Sequence, residues 1–593
     1  MDQTKIRNIA IIAHVDHGKT TLVDQLFRQS GMFRDNQKVE ERLMDSMDLE
    51  KERGITISAK NGSFRYKGYW INIVDTPGHA DFGGQVERVL KMADGALLLV
   101  DAEEGPMPQT FFVLKKALSL NLPLIVVINK VDKANARPDW VVDQVFDLFV
   151  KLHAPDHILD FPIVFASARE GYAMLDHHKP SKTVDALYEM IVTRIPAPKG
   201  DPNAPLQMLV SSIDYSPYLG RLGIGKVTSG TLNINKDIVV ALRDGTIIPA
   251  RVTKVYRFEG AERVPIETAG VGEIVAVAGM DQVTVGVTYT DPENPQPLPP
   301  MEIDPPTISM NFIPNDSPFA GREGEFVTSR HLVDRLKHES LADVALHVEP
   351  LGESKGFKVS GRGELHLSIL IERMRREGYE FQVTRPVAIL REVDGVIQEP
   401  FEELTIDVPE VHMGVVIEKL GQRKGQILTM ETGNGMARLV FRVPTRALLG
   451  FRSEFLTDTR GMGVMNYIFS GYGPHVGEIR TRTRGVLISM MNCTTVAYAL
   501  FNLQDRGRFF LPPGVEVYAG QIVGEHCRED DLTVNPGKGK RLTNMRASGS
   551  DENIILTPPT RFTLEECLPY INDDELVEIT PKNIRLRKRN FRP

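Results

Sequence analysis

The chain has 593 residues, of which 42% are hydrophobic and 25% charged, a composition typical of a globular protein with several domains. Its 70 basic and 78 acidic residues give a net charge of −8, which excludes nucleic-acid binding through overall charge and leaves only local clusters. The three cysteines lie far apart, without the spacing of a zinc site or a disulfide framework. No apolar run approaches the ~20 residues of a membrane span. The N-terminus lacks the layout of a signal peptide, so we expect a soluble chain in the reducing cytoplasm.

Residues 8–22 predict a strand, a loop and a helix that together bind phosphate. The apolar run 9–12 leads into the sequence GKTT, and apolar residues at helical spacing follow. This is the pattern G-x-x-x-x-G-K-[ST], with Ala13 in place of the first glycine. Lys19 would bridge the outer phosphates, and the Thr20 hydroxyl would bind Mg²⁺. The residues expected around the phosphates are Asp16, His17, Gly18, Lys19, Thr20 and Thr21. By itself the pattern also fits a helix cap with a lone lysine.

Two further motifs supply metal and phosphate ligands. Asp75 follows the apolar strand INIV, so its carboxylate can hold Mg²⁺ through a water, and the Gly78 N–H can reach the γ-phosphate. Thr56, in the sequence RGITI, can complete the Mg²⁺ shell only when a γ-phosphate is present. A loop of that kind is ordered in one nucleotide state and released in the other.

Two motifs that follow later strands are predicted to bind the base of the nucleotide. The sequence NKVD places Asn129, Lys130 and Asp132 directly after LIVVI, and Ser167 and Ala168 follow IVFA. A carboxylate at position 132 can accept hydrogen bonds from N1–H and the 2-amino group of guanine, a pair that adenine lacks. The sequence therefore predicts a GTPase in a doubly wound α/β domain.

The rest of the chain changes character several times. After the proline-rich linker 195–205 come short alternating strands of a small β-barrel, with a docking or a purely structural role. Two ferredoxin-like α+β patterns follow, the first with helices expected at 324–336 and 365–377, and the chain ends β-rich. The fold class is a multidomain combination of α/β, β and α+β domains. The expected domains are 1–200, 201–300, 301–386, 387–480 and 481–593.

Two basic clusters stand out near the C-terminus. The loop 535–547 carries Lys538, Lys540, Arg541 and Arg546 with no acidic residue, and the tail 582–593 carries six lysines and arginines, again without an acid. Such clusters can follow a phosphate backbone. The alternative is a solvated loop and a frayed terminus. Composition alone favours this alternative.

The first segment resembles the GTPase domain of the translation factors. AHVDHGKTTL, RGITI, DTPGH, NKVD and ASA carry this resemblance. It implies that His79 orients the attacking water. Val15 and Ile55 would be the apolar residues that keep this histidine away from the water until the ribosome moves it into place. It also makes Ala13 unsurprising. Residues 360–381 resemble the third domain of elongation factor G and LepA, and residues 399–425 their fifth. Only about a dozen residues separate the two, so the fourth domain of elongation factor G has no room here.

Residues 446–472 and 535–548 resemble the BipA family, also called TypA, and the likeness covers essentially the whole chain. It implies a monomeric GTP hydrolase of EC class 3.6.5, using GTP, GDP and Mg²⁺, that the ribosome stimulates. It further implies contact of both basic clusters with ribosomal RNA or tRNA, including A-site tRNA. It also implies roles in large-subunit assembly and in cold or stress adaptation, and a link to the alarmone ppGpp. A LepA-like role on the elongating ribosome is the main alternative. A GTP-gated RNA-binding factor, whose hydrolysis only times release, is another.

Overall fold

The computed structural model describes residues 1–14, 16–31, 48–53, 60–76, 83–152, 154–179, 181–216, 218–280, 283–299, 305–343, 345–352, 356–433, 435–479, 482–539 and 555–591. The chain divides into two compact units, Met1–Asp304 with Leu341–Val344, and Pro305–Ser340 with Ala345–Pro593. No helix in the described ranges is long and apolar enough to cross a membrane.

The first unit begins with a seven-stranded sheet whose strand order is β2-β3-β1-β4-β5-β6-β7. Its strands are β1 (Ile6–Ala13), β2 (Lys60–Tyr66), β3 (Tyr69–Asp75), β4 (Gly95–Asp101), β5 (Leu124–Asn129), β6 (Ile163–Ser167) and β7 (Tyr172–Met174). Its helices are α1 (Lys19–Gln29), α2 (Asp48–Arg53), α3 (Gly83–Leu90), α4 (Pro108–Ser119), α5 (Pro138–Lys151), α6 (Asp156–Leu159) and α7 (Asp185–Arg194). The predicted α/β domain is confirmed.

Strand pairing explains why the functional motifs meet. Strand β1 pairs in parallel with β3 and β4, and β4, β5 and β6 continue in parallel. Strands β1, β4 and β5 are buried along their whole length, as their apolar sequences predict. Because parallel strands end at one edge, the described residues that follow β1, β3, β5 and β6 lie together there. The antiparallel hairpin β2–β3 turns through Lys67 and Gly68, both at positive φ, which suits a two-residue turn.

A second sheet of eight antiparallel strands follows, in the order β12-β11-β17-β8-β9-β16-β13-β14, with a separate pair β10–β15. Alternating aliphatic residues of these strands form one core, in agreement with the predicted β domain. The strands are β8 (Gln207–Ser216), β9 (Gly220–Ser229), β10 (Leu232–Asn233), β11 (Asp237–Ala241), β12 (Ile247–Arg251), β13 (Lys254–Glu259), β14 (Glu262–Ile266), β15 (Thr268–Ala269), β16 (Ile274–Ala278) and β17 (Thr288–Thr290).

Polar contacts near the start of strand β1 join the two sheets of the first unit. The Asn8 side chain donates to Asp94 Oδ2 at 2.6 Å and to the Gly272 carbonyl at 3.0 Å. Lys226 of strand β9 donates to the other oxygen of Asp94 at 2.9 Å. Ser63 and Gly260 add a pair of main-chain hydrogen bonds between β2 and the turn after β13. The strand that leads into the phosphate loop is therefore anchored at its other end.

The second unit opens with a βαββαβ domain whose strand order is β19-β20-β18-β21, the ferredoxin-like arrangement that the sequence predicts. Its elements are β18 (Ile308–Pro314), α8 (Ser329–Ala342), β19 (His347–Pro350), β20 (Phe357–Gly361), α9 (Glu364–Arg376), β21 (Phe381–Val383) and β22 (Val387–Ala388). Helix α8 begins later than expected because the Thr328 hydroxyl accepts the His331 N–H and caps the helix there. Helix α9 is within one residue of the prediction.

A second ferredoxin-like domain has the order β27-β24-β26-β25, with β23 paired to β24. Its elements are β23 (Arg391–Val393), β24 (Val396–Pro409), α10 (Glu410–Gln422), β25 (Gln426–Gly433), β26 (Met436–Pro444), α11 (Phe451–Asp458) and β27 (Val464–Pro474). The last segment contains β28 (Val486–Ser489), β29 (Cys493–Thr494), α12 (Ala497–Leu503), β30 (Gly507–Phe509), β31 (Glu516–Val517), β32 (Gln521–His526), β33 (Leu532–Val534), α13 (Leu564–Tyr570), β34 (Glu575–Ile579) and β35 (Ile584–Lys588).

One sheet runs from the first ferredoxin-like domain into the last segment. Strand β21 pairs with β34, with Gln382 opposite Glu578, and β34 pairs with β35. The Glu578 carboxylate is fully buried and accepts from Ser317 Oγ at 2.8 Å, Tyr518 OH at 2.5 Å and Asn315 Nδ2 at 3.0 Å. Sequence reasoning, which treats domains one at a time, did not predict this continuous sheet.

The basic tail is part of that sheet, and this corrects the sequence prediction. Lys588, the last residue of β35, has a side chain only 8% exposed. Its ammonium group lies 2.6 Å from Asp531, 2.8 Å from Asp574 and 2.9 Å from Glu575. Burial alone lowers the pKa of Lys588, but hydrogen bonds to these carboxylates raise it above its usual value. The positive charge is fully engaged inside the fold.

Two arginines of the same strand are engaged in the same way. Arg585 forms ion pairs with Glu323 and, at 3.2 Å, with Glu578, and Arg587 lies 2.8 Å from Asp316. Their side chains are only 11% and 13% exposed. The prediction of an RNA-binding tail is therefore wrong for Arg585, Arg587 and Lys588. The partner acids lie outside 582–593. Asp316, Glu323 and Asp531 are distant in sequence, whereas Asp574, Glu575 and Glu578 lie in the acidic run just before β35.

Candidate nucleotide-binding site

The phosphate loop lies between Ala13, which ends β1, and Lys19, which begins α1. Ala13 keeps the extended strand conformation, so a glycine is not needed there. Asp16 and Gly18 do have positive φ, 66° and 89°. A Cβ on Gly18 would lie 2.5 Å from Asn129 Nδ2, so only glycine fits. The N–H groups of the first helical turn point into this loop, as an anion site requires.

Lys19 connects the phosphate loop to strand β3. Its ammonium group lies 2.8 Å from Asp75 Oδ1 and donates to the Thr76 carbonyl at 2.5 Å. The side chains of Lys19 and Asp75 are 10% and 3% exposed. Thr20 and Thr21 follow in the first turn of α1. The structure thus brings the predicted lysine, hydroxyl and carboxylate to one edge of the sheet.

Asn129 joins three of the predicted motifs. This last residue of β5 donates from Nδ2 to the His17 carbonyl at 2.8 Å and accepts at Oδ1 from the Ala168 N–H at 2.9 Å. Ala168 and Ser167 are buried, and Ser167 Oγ accepts the Glu170 N–H at 3.2 Å. One side chain therefore fixes the phosphate loop and the SA loop relative to each other.

Lys130 makes a second bridge between the same loops. It adopts a positive φ of 62°, and its ammonium group donates to the Asp16 carbonyl at 2.5 Å. The same group lies 2.8 Å from Asp101 Oδ2. Asp132, two residues on, is exposed to solvent.

A row of acids after β4 supports these lysines and the phosphate loop. Burial alone raises the pKa of Asp101, but hydrogen bonds from Lys130 and from the Glu103 N–H lower it to about 2. His17 is fully buried, with Nδ1 3.3 Å from the Leu99 carbonyl and Nε2 3.5 Å from Glu104. The nearby His17 ring lowers the pKa of the Glu104 carboxyl. Sequence reasoning missed these acids, although their position directly after a buried strand could have indicated them.

Several predicted residues lie outside the described part of the chain. They are Val15, Ile55, Thr56, Gly78 and His79 of the nucleotide site, and Lys540, Arg541 and Arg546 of the basic loop. Lys538, the one residue of that RNA-binding set that is described, is exposed to solvent.

Four family models match successive stretches of the chain. The Elongation factor Tu GTP binding domain matches residues 4–197, and Elongation factor G domain 2 matches 205–290. The Elongation factor G C-terminus matches 396–483, and the TypA/BipA C-terminal domain matches 484–593. The last match decides between the families that share the other domains.

Curated relatives extend this likeness to the full length. The large ribosomal subunit assembly factor BipA of Escherichia coli strain K12 is 55% identical over 589 residues, which is 99% of this chain and 97% of that protein. The protein of the same name from Bacillus subtilis strain 168 is 52% identical over 586 residues, 98% and 96% of the two chains. The chain belongs to the BipA family. Because it carries this GTP-binding domain, the BipA-family protein is a GTP hydrolase that binds GTP and GDP.

A solved structure agrees at the level of fold. A crystal structure of a protein from Thermus thermophilus superposes with a TM-score of 0.55 and 18% sequence identity, covering 80% of this chain and 98% of that one. This similarity concerns the multidomain fold alone. The identification of the BipA family, and with it the predicted GTPase, is confirmed by the sequence relatives, and the LepA-like alternative has no comparable support.

Proposed function

We propose that this protein hydrolyses GTP on the ribosome and acts in the assembly of the large ribosomal subunit. The observation that carries the proposal is the identity of 55% over 99% of the chain to a large ribosomal subunit assembly factor. The C-terminal match over residues 484–593 adds to it, because this segment separates BipA from other translational GTPases. The ribosome would stimulate this hydrolysis. As a GTP hydrolase the enzyme would belong to EC class 3.6.5.

The phosphate end of the site would work by position and charge. Lys19, held beside Asp75, would exchange this partner for the outer phosphates, while main-chain N–H groups of the loop bind the remaining oxygens. The donor set fits Mg²⁺, since Thr20 offers a hydroxyl and Asp75 a buried carboxylate, both hard oxygen ligands. Thr56 would complete this set. The ion, when bound, supplies positive charge to the phosphates.

The attacking water would be placed by His79. Val15 and Ile55 would keep the imidazole away until the ribosome moves it, so that hydrolysis in solution stays slow. Gly78 would donate its N–H to the γ-phosphate. This part of the proposal rests on the motif sequence DTPGH and on the family relationship.

The base end of the site would select guanine through Asp132. The bonds of Asn129 and Lys130 to the phosphate loop support this role, because they fix the loop that carries Asp132. Ser167 and Ala168 would close the pocket with main-chain N–H groups. The binding of ppGpp at this site belongs to the same proposal.

Contact with ribosomal RNA, and with A-site tRNA, would come from Lys538, Lys540, Arg541 and Arg546. We also propose five domains at 1–200, 201–300, 301–386, 387–480 and 481–593, supported by the family matches and the two ferredoxin-like strand orders. The protein would act as a monomer in the cytoplasm, chiefly under cold or stress.

Ribosomal particle profiles in cells lacking the protein test the proposal. We expect precursors of the large subunit to accumulate in the cold. The wild-type gene should restore normal particles, and a His79→Ala variant, produced at the same level, should not. Normal particles in the deletion strain would refute the assembly role. If elongation rates changed instead, the LepA-like function would replace it.

A further inference from the structure

Asp101 is a buried carboxylate at the end of β4 that no sequence motif marks as functional. Its side chain is fully buried, and Oδ1 accepts the Glu103 N–H at 2.8 Å. Its other oxygen, Oδ2, lies 2.8 Å from the ammonium group of Lys130 and 3.2 Å from that of Lys133. One carboxylate thus holds two lysines that come from the same short loop.

These two lysines lie on either side of Asp132 in the sequence. The loop is also tied to β4 through its main chain, since the Ala102 N–H donates to the Asn129 carbonyl at 2.8 Å. Asp132 itself is exposed, so its own environment does little to fix it. Its position therefore depends on what holds its neighbours, and Asp101 is the group that holds both lysines.

We propose that Asp101 is a positioning residue for guanine recognition. By holding Lys130 and Lys133, it keeps the Asp132 carboxylate where it can meet N1–H and the 2-amino group of the base. The inference rests on the proposed base contact of Asp132. The physical reason is that a charge-assisted contact in a site of low dielectric is costly to break, so the loop has one conformation before the base arrives. A ligand then loses less free energy in ordering the loop.

A merely structural role of Asp101 and a positioning role differ in what they change. Loss of stability would weaken all nucleotides alike. Loss of position at Asp132 would weaken chiefly the recognition of the 2-amino group, which guanine carries and hypoxanthine lacks. The ratio of the dissociation constants of IDP and GDP reports this recognition. Lys19, at the phosphate end, contacts Asp75 and not Asp101, so phosphate binding is the internal reference.

The test uses the full chain with the substitution Asp101→Asn, which keeps the shape and removes the charge. Competition with a fluorescent guanine nucleotide gives the dissociation constants of GDP and IDP. We expect GDP to bind about tenfold more weakly to the variant, a loss of about 1.4 kcal/mol. We expect the IDP to GDP ratio to fall by about threefold or more, since the lost interaction is specific to guanine.

The matched control is Asp94→Asn. Asp94 also pairs with a lysine and an asparagine within the first unit, but at the opposite end of β1. It should lower the melting temperature and leave the ratio unchanged. A double substitution adds a second check. When Asp132→Ala is already present, Asp101→Asn should change the ratio no further, because the two residues act through one contact.

An unchanged ratio in a folded Asp101→Asn variant overturns the inference while Asp132→Ala still abolishes discrimination. If Asp132→Ala itself leaves the ratio unchanged, the proposed base contact fails and the inference fails with it. Should Asp101→Asn not fold, Lys133→Met removes the 3.2 Å contact with Asp101, together with the 2.7 Å contact of Lys133 with Glu103, and leaves Lys130 in place. The ratio should then fall by a smaller factor, and no fall would again overturn the inference.

Discussion

The nucleotide site of the first unit and strand β35 of the second unit both gather lysines and arginines around buried carboxylates, but they use them differently. At the nucleotide site, Lys19 contacts one carboxylate and one main-chain carbonyl, and so does Lys130. On β35, Lys588 contacts three carboxylates and Arg585 contacts two. The first pair of cations lies in or beside loops with positive φ, and the second lies in a regular strand.

This difference defines two classes of cation. Lys19 and Lys130 are ligand-serving cations, which can bind a ligand, and Arg585 and Lys588 are fold-serving cations, which stabilise the fold. A lysine with one carboxylate at an open edge can exchange that partner for a phosphate at small cost. A lysine enclosed by three carboxylates has no charge left to offer, and its removal leaves these acids with less positive charge around them. The partners that the fold brings to each basic residue decide which role that residue has.

The largest effect is expected from His79→Ala, which tests the ligand-serving side. GTP binding should change little, whereas ribosome-stimulated hydrolysis should fall about a thousandfold, because the attacking water loses its positioning group. Single-turnover hydrolysis with saturating ribosomes measures this. His178→Ala, an exposed histidine of the same unit, is the control and should keep wild-type rates. Unimpaired stimulated turnover in His79→Ala would remove the role assigned to this residue.

Lys588→Met tests the fold-serving side. It keeps most of the side-chain volume but removes a cation from Asp531 and Asp574, which are partly exposed, and from Glu575, which keeps Arg482. The free energy of unfolding should therefore fall by about 2 kcal/mol. Urea denaturation measures this. Lys582→Met, in the exposed part of the same segment, should be within about 0.5 kcal/mol of wild type. If the two variants were equally stable, Lys588 would not be the structural residue that the comparison makes it.

Asp132→Asn tests how the ligand-serving site selects the guanine base. An amide donates where the carboxylate accepts, so the preference for GTP over XTP should fall by about a hundredfold. Competition binding with both nucleotides measures this. Asp139→Asn, an exposed acid at the start of α5, should leave selectivity unchanged. Undiminished GTP preference in Asp132→Asn would mean that the base is selected by another group.

The sequence was sufficient for the α/β domain, and it placed Lys19, Asp75 and Asn129 at one edge of the sheet, because each motif follows directly after an apolar strand and parallel strands end at one edge. It was not sufficient for Asp101, since the lysines that surround it belong to a motif read as base-binding. The junction of β21 with β34 was equally inaccessible, because strands far apart in the sequence pair there, with Val383 opposite Val577. Of the three partners of Lys588, only Asp531 is distant in sequence and follows from the same cause. Long-range pairing, rather than local propensity, sets these features.

The smallest effect is expected from the basic loop 535–547, whose cations are to be sorted into ligand-serving or fold-serving. Lys538 is exposed, and no carboxylate in the described ranges pairs with it, so it resembles the ligand-serving cations. Neutralising Lys538, Lys540 and Arg541 to alanine should weaken ribosome binding about tenfold at physiological salt and reduce its salt slope by about two units. A variant with Lys182, Lys199 and Lys236 changed to alanine loses the same charge elsewhere and should keep the slope. Equal slopes in the two variants would place the loop away from RNA. A reduced slope in the loop variant alone would show that this segment, unlike β35, keeps its positive charge for a partner.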